Sequence, residues 1–174
     1  MDKYIEKAFS FSKKHKQLME NDSKFISGWR YDPPILFERG EGVKIFDVDD
    51  NAYYDLSSGM MSLPLGHAHP ELSETIKDMA DKFHHHSSWY SNPWAVELSE
   101  LIVSTLPGDL NIINFAITGS EANEIAMRMA LGYTGGFDIC SVIRGLHGGS
   151  LAAEAVTSVG GGRKRGLGPL SFPA

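Results

Sequence analysis

Residues 112–124 read IINFAITGSEANE, an apolar run that breaks at Thr118-Gly119-Ser120 and passes at once into a helical pattern. Residues 112–117 have the length and composition of a buried strand. Beyond the break, Ile125, Met129, Ala130 and Tyr133 recur at a spacing that sets them near one face of a helix. A strand that runs through a glycine turn into a helix gathers several backbone N–H groups, and the positive end of the helix dipole, at one point. A phosphate dianion suits that point, and Ser120 adds a hydroxyl. The same residues also satisfy a capping box, Thr118 with Glu121, which needs no ligand. On this stretch alone both readings stay open, because many strand-to-helix turns look alike.

Downstream, residues 137–143 read as a second buried strand, followed by a turn at 145–149 and a short helix near 151–156. From Ile112 onward the order is β-α-β-α, the opening of a parallel sheet covered by helices. Cys140, the one cysteine, falls in the second apolar run and reads as buried, so it forms no disulfide within the chain. That usage points to a reduced, cytoplasmic setting. Upstream, 70–83 carries Leu72, Ile76, Met79 and Phe83 at helical spacing. A second helix over 94–106 sets Leu98, Leu101 and Ile102 on one side and stops at Pro107-Gly108. Three strand-like pieces, 35–38, 43–48 and 52–56, are parted by Arg39-Gly40-Glu41-Gly42 and Asp49-Asp50-Asn51 and predict an antiparallel meander. Residues 1–21 predict a mildly amphipathic helix with Ile5, Phe9 and Leu18 on its apolar side, and Pro33-Pro34 stands between it and the meander.

Charge and composition narrow the function classes. A net charge of −6 argues against a nucleic-acid partner, since phosphate backbones call for a basic face. The basic cluster Arg163-Lys164-Arg165 follows Gly160-Gly161-Gly162 and reads as a solvated loop. No apolar run is long enough to span a bilayer, so no membrane role is expected. The stretch MDKYIEKAFSFSKKHKQLMEND lacks the apolar core of a secretory signal, and its acids argue against a mitochondrial presequence. Asp47, Asp49 and Asn51 lack the glycine and distal glutamate of a calcium loop. The run His84-His85-His86 reads as a polar helix end, and His67 and His69 as parts of a turn, because no set of cysteines or carboxylates accompanies them.

Four segments in one order carry a resemblance: VKIFDVDDNAYYDLSS (43–58), GMMSLPLGHAHP (59–70), TGSEANE (118–124) and LHGGS (146–150). Together they resemble the N-terminal part of the class III (omega/ornithine-type) aminotransferases, from about Pro34 onward. Within these the nearest likeness is to dialkylglycine decarboxylase. The resemblance implies an α/β protein, namely the N-terminal segment of the aspartate-aminotransferase-like fold (type I) with the start of its large-domain parallel sheet. Residues 1–58 would be an N-terminal helix and meander, and 59–174 the first part of the cofactor-binding large domain.

It also implies pyridoxal 5'-phosphate as cofactor, with Gly119 and Ser120 at the phosphate and Leu146 and His147 at the ring. The position of Leu146 is normally aromatic in the family. An aliphatic group there still covers a ring by dispersion but loses offset stacking, worth ~0.5–1.5 kcal/mol. Met60 stands where the decarboxylase-like proteins carry a glutamine that reaches the substrate carboxylate, and a thioether cannot donate in its place. Ser88 matches a serine near an alkali-metal ion in that subgroup. The expected partners are a small amine or amino acid, a keto acid, and further copies of the chain in a homodimer or dimer of dimers, meeting around 67–70 and 87–93.

Pyridoxal phosphate chemistry needs a Schiff-base lysine and an acid at the pyridine nitrogen. The lysines here fall in the polar N-terminal stretch (Lys3 to Lys24), the hairpin (Lys44), the polar side of a helix (Lys77, Lys82) and the basic loop (Lys164). None is placed to serve, and the family keeps both residues beyond position 174. The expectation is therefore a catalytically incomplete fragment of an aminotransferase. A decarboxylating transaminase is the alternative within enzymes, and a non-catalytic cofactor-binding or dimerising remnant the alternative outside them.

Overall fold

A computed structural model describes residues 11–27 and 35–159. Contacts divide the chain into two compact units, Met1–Ser87 and Ser88–Ala174. Residues 1–10, Pro33-Pro34, and the glycine and basic residues of 160–165 lie outside the described residues, as does the chain beyond them.

In the first unit, helix α1 (Lys13–Phe25) begins where Ser12 accepts the His15 N–H on its hydroxyl at 3.1 Å. That N-cap answers one of the four donors a helix start leaves open. Of the predicted helix over 1–21, residues 1–10 lie outside the described residues; the described part is helical from Lys13 and continues further, to Phe25. Strands β1 (Phe37–Glu41), β2 (Lys44–Asp47) and β3 (Ala52–Tyr54) form the expected antiparallel meander in the order β1-β2-β3. Gly42, with φ +53°, turns the first hairpin, where Glu41 pairs with Lys44.

Asp47 organises the second turn. Its carboxylate accepts the backbone N–H groups of Asp49 and Asn51, both at 2.9 Å, the Asn51 amide, and the Tyr53 hydroxyl at 2.8 Å. Only 1% of Asp47 is exposed. Burial pushes its carboxyl upward, yet the hydrogen bonds from Asn51, Tyr53 and Asp49 outweigh that and hold it below the ordinary range. The Asp47 carboxylate therefore holds the turn together through these hydrogen bonds.

After β3 the backbone makes a single turn, Ser58–Met61, of the opposite hand. Ser58, Gly59, Met60 and Met61 have φ of +51°, +60°, +69° and +64°. Its hydrogen bonds, Met61 N–H to Ser57 O at 2.8 Å and Ser62 N–H to Ser58 O at 2.9 Å, span four residues as in any α-turn. Left-handed geometry costs roughly 1–2 kcal/mol for each non-glycine residue. Gly66, at φ +79°, brings His67 alongside Gly42, where the two exchange backbone hydrogen bonds of 2.8 and 2.9 Å. Helix α2 (Pro70–Lys82) opens with proline at its first position and keeps Leu72 and Ile76 exposed.

In the second unit, Asn92 caps α3 (Pro93–Thr105) by accepting the Ala95 N–H at 2.9 Å. Helix α4 (Gly119–Thr134) is capped by Thr118 and ends at Gly135 in the left-handed conformation. It packs on the short α5 (Leu151–Val156), and between them Met127, Ala153, Val156 and Thr157 are buried.

Three expectations for this unit change. Residues 112–117 and 137–143 are unpaired, and no parallel sheet forms among the described residues. Both runs stay exposed, Ile117 to 94%, because a parallel strand needs neighbours at its edges and helices on its faces. Cys140 is accordingly exposed rather than buried. The packed face of α4 runs through Ser120, Asn123, Glu124, Met127 and Leu131, while Met129 and Tyr133 point outward. The sequence stripe marks apolar residues, but α5 and its loop take hold of the polar side.

Candidate functional site

The tip of α4 is built by Thr118 and Glu121. Thr118 Oγ1 accepts the Glu121 N–H at 3.2 Å, and the Glu121 carboxylate reaches back to the Ile117 N–H at 2.8 Å. This is the expected capping box, shifted by one residue on its return arm. It leaves the N–H groups of Gly119 and Ser120 as the two donors at the helix tip with no partner among the described residues. A methyl group added to Gly119 would meet nothing within 4 Å, so the space before the tip is open. Capping thus leaves two donors facing open space.

The loop bearing Leu146 and His147 lies directly against this tip. Ser120 Oγ accepts the Gly149 N–H at 3.1 Å, which leaves the hydroxyl proton free to donate elsewhere. Asn123 donates its amide to the His147 carbonyl at 2.6 Å, and Glu124 accepts the Ala152 N–H at 3.3 Å. Ser120, Asn123 and Glu124 stand at i, i+3 and i+4, one face of the helix. Gly148 has φ +140°, and a side chain there would collide with Ser120, so only glycine lets the loop approach this closely. Glu124 is held below the ordinary carboxylate range, chiefly by the Ser150 side chain, against which burial works, with help from the Ala152 and Ala153 N–H groups and Arg128. The Ser150 hydroxyl faces the carboxylate without reaching full hydrogen-bond geometry.

On the far side of the loop, the His147 N–H donates to Thr157 Oγ1 at 3.0 Å, and Thr157 donates onward to the Ala153 carbonyl at 2.8 Å. The His147 ring packs against Gly145, where an added methyl would sit 2.7 Å from Nε2. That nitrogen is buried and has no hydrogen-bond partner among the described residues. Leu146 is 49% exposed and faces open space. Beneath the loop a cavity of about 120 Å³ is lined by Asn123, Met127, Cys140 and His147. It is well below the ~300 Å³ at which ligand pockets begin.

The structure brings Gly119, Ser120, Leu146 and His147 of the sequence expectation into one locality. Met60 belongs to the other unit, in the left-handed turn, and is largely exposed. Ser88 is exposed in the turn that precedes α3. Among the described residues no three His, Cys, Asp or Glu side chains gather as metal donors. Asn123, Glu124 and Thr157 were not singled out from sequence. The spacing of the first two from Ser120 could have revealed them, whereas Thr157 carries no sequence signal.

The class III aminotransferase family model matches residues 26–173. Over 127 residues the chain is 35% identical to alanine–glyoxylate aminotransferase 2 homolog 2, mitochondrial, of Arabidopsis thaliana, covering 73% of this chain and 27% of that protein. The solved adenosylmethionine-8-amino-7-oxononanoate aminotransferase of Methanocaldococcus jannaschii superposes with a TM-score of 0.80 at 28% identity, covering 90% of this chain and 39% of that one. The omega transaminase of Pseudomonas jessenii, solved in complex with PMP, gives a TM-score of 0.75 at 26% identity, covering 90% and 37%. Fold and site together define a segment of the aspartate-aminotransferase-like, type I architecture. The chain belongs to the class III aminotransferase family, and it spans about a quarter to two fifths of the length of these relatives.

Proposed function

We propose that the chain forms the phosphate-holding and ring-covering part of a pyridoxal 5'-phosphate-dependent aminotransferase, which moves an amino group from a small amine or amino acid to a keto acid. The observation that carries this reading is the Ser120 Oγ to Gly149 N–H contact of 3.1 Å, which joins an open helix tip to the loop bearing Leu146 and His147. When bound, the cofactor supplies the aldehyde and the electron sink for the transfer.

The chain's own residues fit that group. The Gly119 and Ser120 N–H groups and the α4 dipole receive a phosphate, and the Ser120 hydroxyl adds its free proton. Leu146 covers an aromatic face and keeps water from it. The unpartnered His147 Nε2 supplies an imidazole beside that face. Met60, which has no hydrogen to donate, selects substrate by shape and apolar contact. Its strained backbone supports this role, since such strain clusters at functional sites. Ser88 keeps an exposed hydroxyl that could serve an alkali-metal ion in the manner of the decarboxylase-like subgroup. Exposed Leu65, Trp89 and Tyr90 support assembly as a homodimer or dimer of dimers through the surfaces near 67–70 and 87–93. No lysine occurs between Lys82 and Lys164, so residues 88–159 contribute no cofactor-holding amine.

The test is Ser120→Ala in the complete protein, followed by dialysis and cofactor absorbance. Loss of the cofactor is expected, and undiminished absorbance would sink the phosphate assignment. Carbon dioxide release from 2-aminoisobutyrate separates the decarboxylating alternative. Absence of release is expected, because neither Met60 nor Leu146 offers a polar group to orient a scissile carboxylate.

A further inference from the structure

His147 is the one residue of the loop whose two backbone polar groups are both taken by side chains. Its N–H goes to Thr157 Oγ1 at 3.0 Å, and its carbonyl receives the Asn123 amide at 2.6 Å. Neither partner is free to wander. Thr157 is 1% exposed, and its hydroxyl is committed at both ends, accepting from His147 and donating to Ala153. Asn123 stands one turn from Ser120 on the face that also holds Gly149 and Ala152. The loop is therefore gripped at 147, 149 and 152 from the helix that bears the phosphate donors, and at 147 again from behind.

We infer that Asn123 and Thr157 are positioning residues that fix the Leu146–His147 segment relative to the first turn of α4. The inference rests on the proposed cofactor site and adds to it two residues that touch neither phosphate nor ring. A buried amide and carbonyl need partners in any loop. A purely structural pair would satisfy that need without bearing on anything at Leu146. Here the pair holds the peptide groups on both sides of His147, the first of them shared with Leu146, and the opposing side is locked by Gly148 at φ +140° against Ser120. Releasing His147 lets the ring-covering side chain rotate away while the helix tip stays as it is.

The experiment compares Thr157→Val, Thr157→Ser, Asn123→Ala and Ser120→Ala in the complete protein. Valine matches threonine in shape but removes the acceptor for His147, whereas serine retains it. In the cofactor-free protein, Thr157→Val should speed amide hydrogen exchange over residues 145–150 about tenfold, and Thr157→Ser should restore protection. In the loaded protein, Thr157→Val should alter the induced circular dichroism of the bound cofactor and lower kcat about tenfold. KM and cofactor affinity should stay within about threefold.

A lowered melting temperature with unaltered exchange and dichroism would overturn the inference. Should Thr157→Val fail to fold, the same readings on Asn123→Ala decide it. Cofactor retained by Ser120→Ala refutes the phosphate site itself. The exchange protection of 145–150 then still shows whether His147 is held as described, so the two ideas fail separately.

Discussion

The imidazole Nδ1 of His15 lies 3.1 Å from the Asp49 carboxylate and ties α1 to the β2–β3 turn across 34 residues of chain. The other ring nitrogen, Nε2, faces the Leu36 backbone N–H at 3.3 Å. An amide N–H can only donate, so Nε2 presents its lone pair and the proton belongs on Nδ1, directed at Asp49. One fully buried ring thus serves the helix, the strand entry and the turn. His15→Ala should destabilise the first unit by about 2–4 kcal/mol, from the cavity and the stranded Leu36 N–H. Urea unfolding should show a lower midpoint with an unchanged slope.

Asp55 and His67 form an acid-sensitive contact of the same unit, at 2.8 Å between Oδ2 and Nε2. The His67 side chain, followed by Ser57, draws the Asp55 carboxyl down to about 2 from an ordinary 3.8. A folded value below the unfolded one stabilises the fold at pH above the unfolded value, and that contribution drains away as the carboxylate protonates. Stability should fall between about pH 4 and pH 2. In His67→Gln the fall over that window should be shallower, as read from denaturant midpoints at each pH.

Gly148→Ala tests the close approach of loop and helix. The added methyl meets both a forbidden φ of +140° and the Ser120 side chain. A loss of roughly 2–3 kcal/mol in stability is expected. Cofactor retention should weaken along with it, because the displaced group is the Ser120 hydroxyl. Thermal unfolding and dialysis of one sample measure both.

Leu146→Tyr restores the aromatic surface that the loop lacks. Leu146 is half exposed, which leaves room for a larger ring on its open side. Offset stacking worth ~0.5–1.5 kcal/mol should tighten cofactor binding by roughly two- to tenfold. Equilibrium titration of the cofactor-free protein checks it.

The parts of this fold that could be read in the sequence are those fixed by local chemistry. Turn residues at Gly42 and Asp49–Asn51 placed the meander, prolines at 70 and 93 opened α2 and α3, and Thr118-Gly-Ser-Glu121 placed the α4 tip. The apolar runs at 112–117 and 137–143 misled because a strand is an agreement between neighbours, and these have none among the described residues. The α4 stripe misled for a related reason: Met129 and Tyr133 are apolar, but the surface that packs there is chosen by Asn123 and Glu124 reaching for backbone groups of the loop. His15 sits in the lysine-rich KKHKQ stretch, and its role depends on a turn 34 residues away that no local pattern announces.

The left-handed turn at Ser58–Met61 restricts which substitutions can retune position 60. Because φ there is +69°, a side chain branched at Cβ would add its own strain to the turn's, and valine, isoleucine or threonine should lower protein yield before any change of specificity can be read. Glycine, asparagine and aspartate tolerate this backbone. A saturation library at Met60 should therefore return soluble variants in an order set by left-handed tolerance, with Met60→Asn and Met60→Gly among the best expressed.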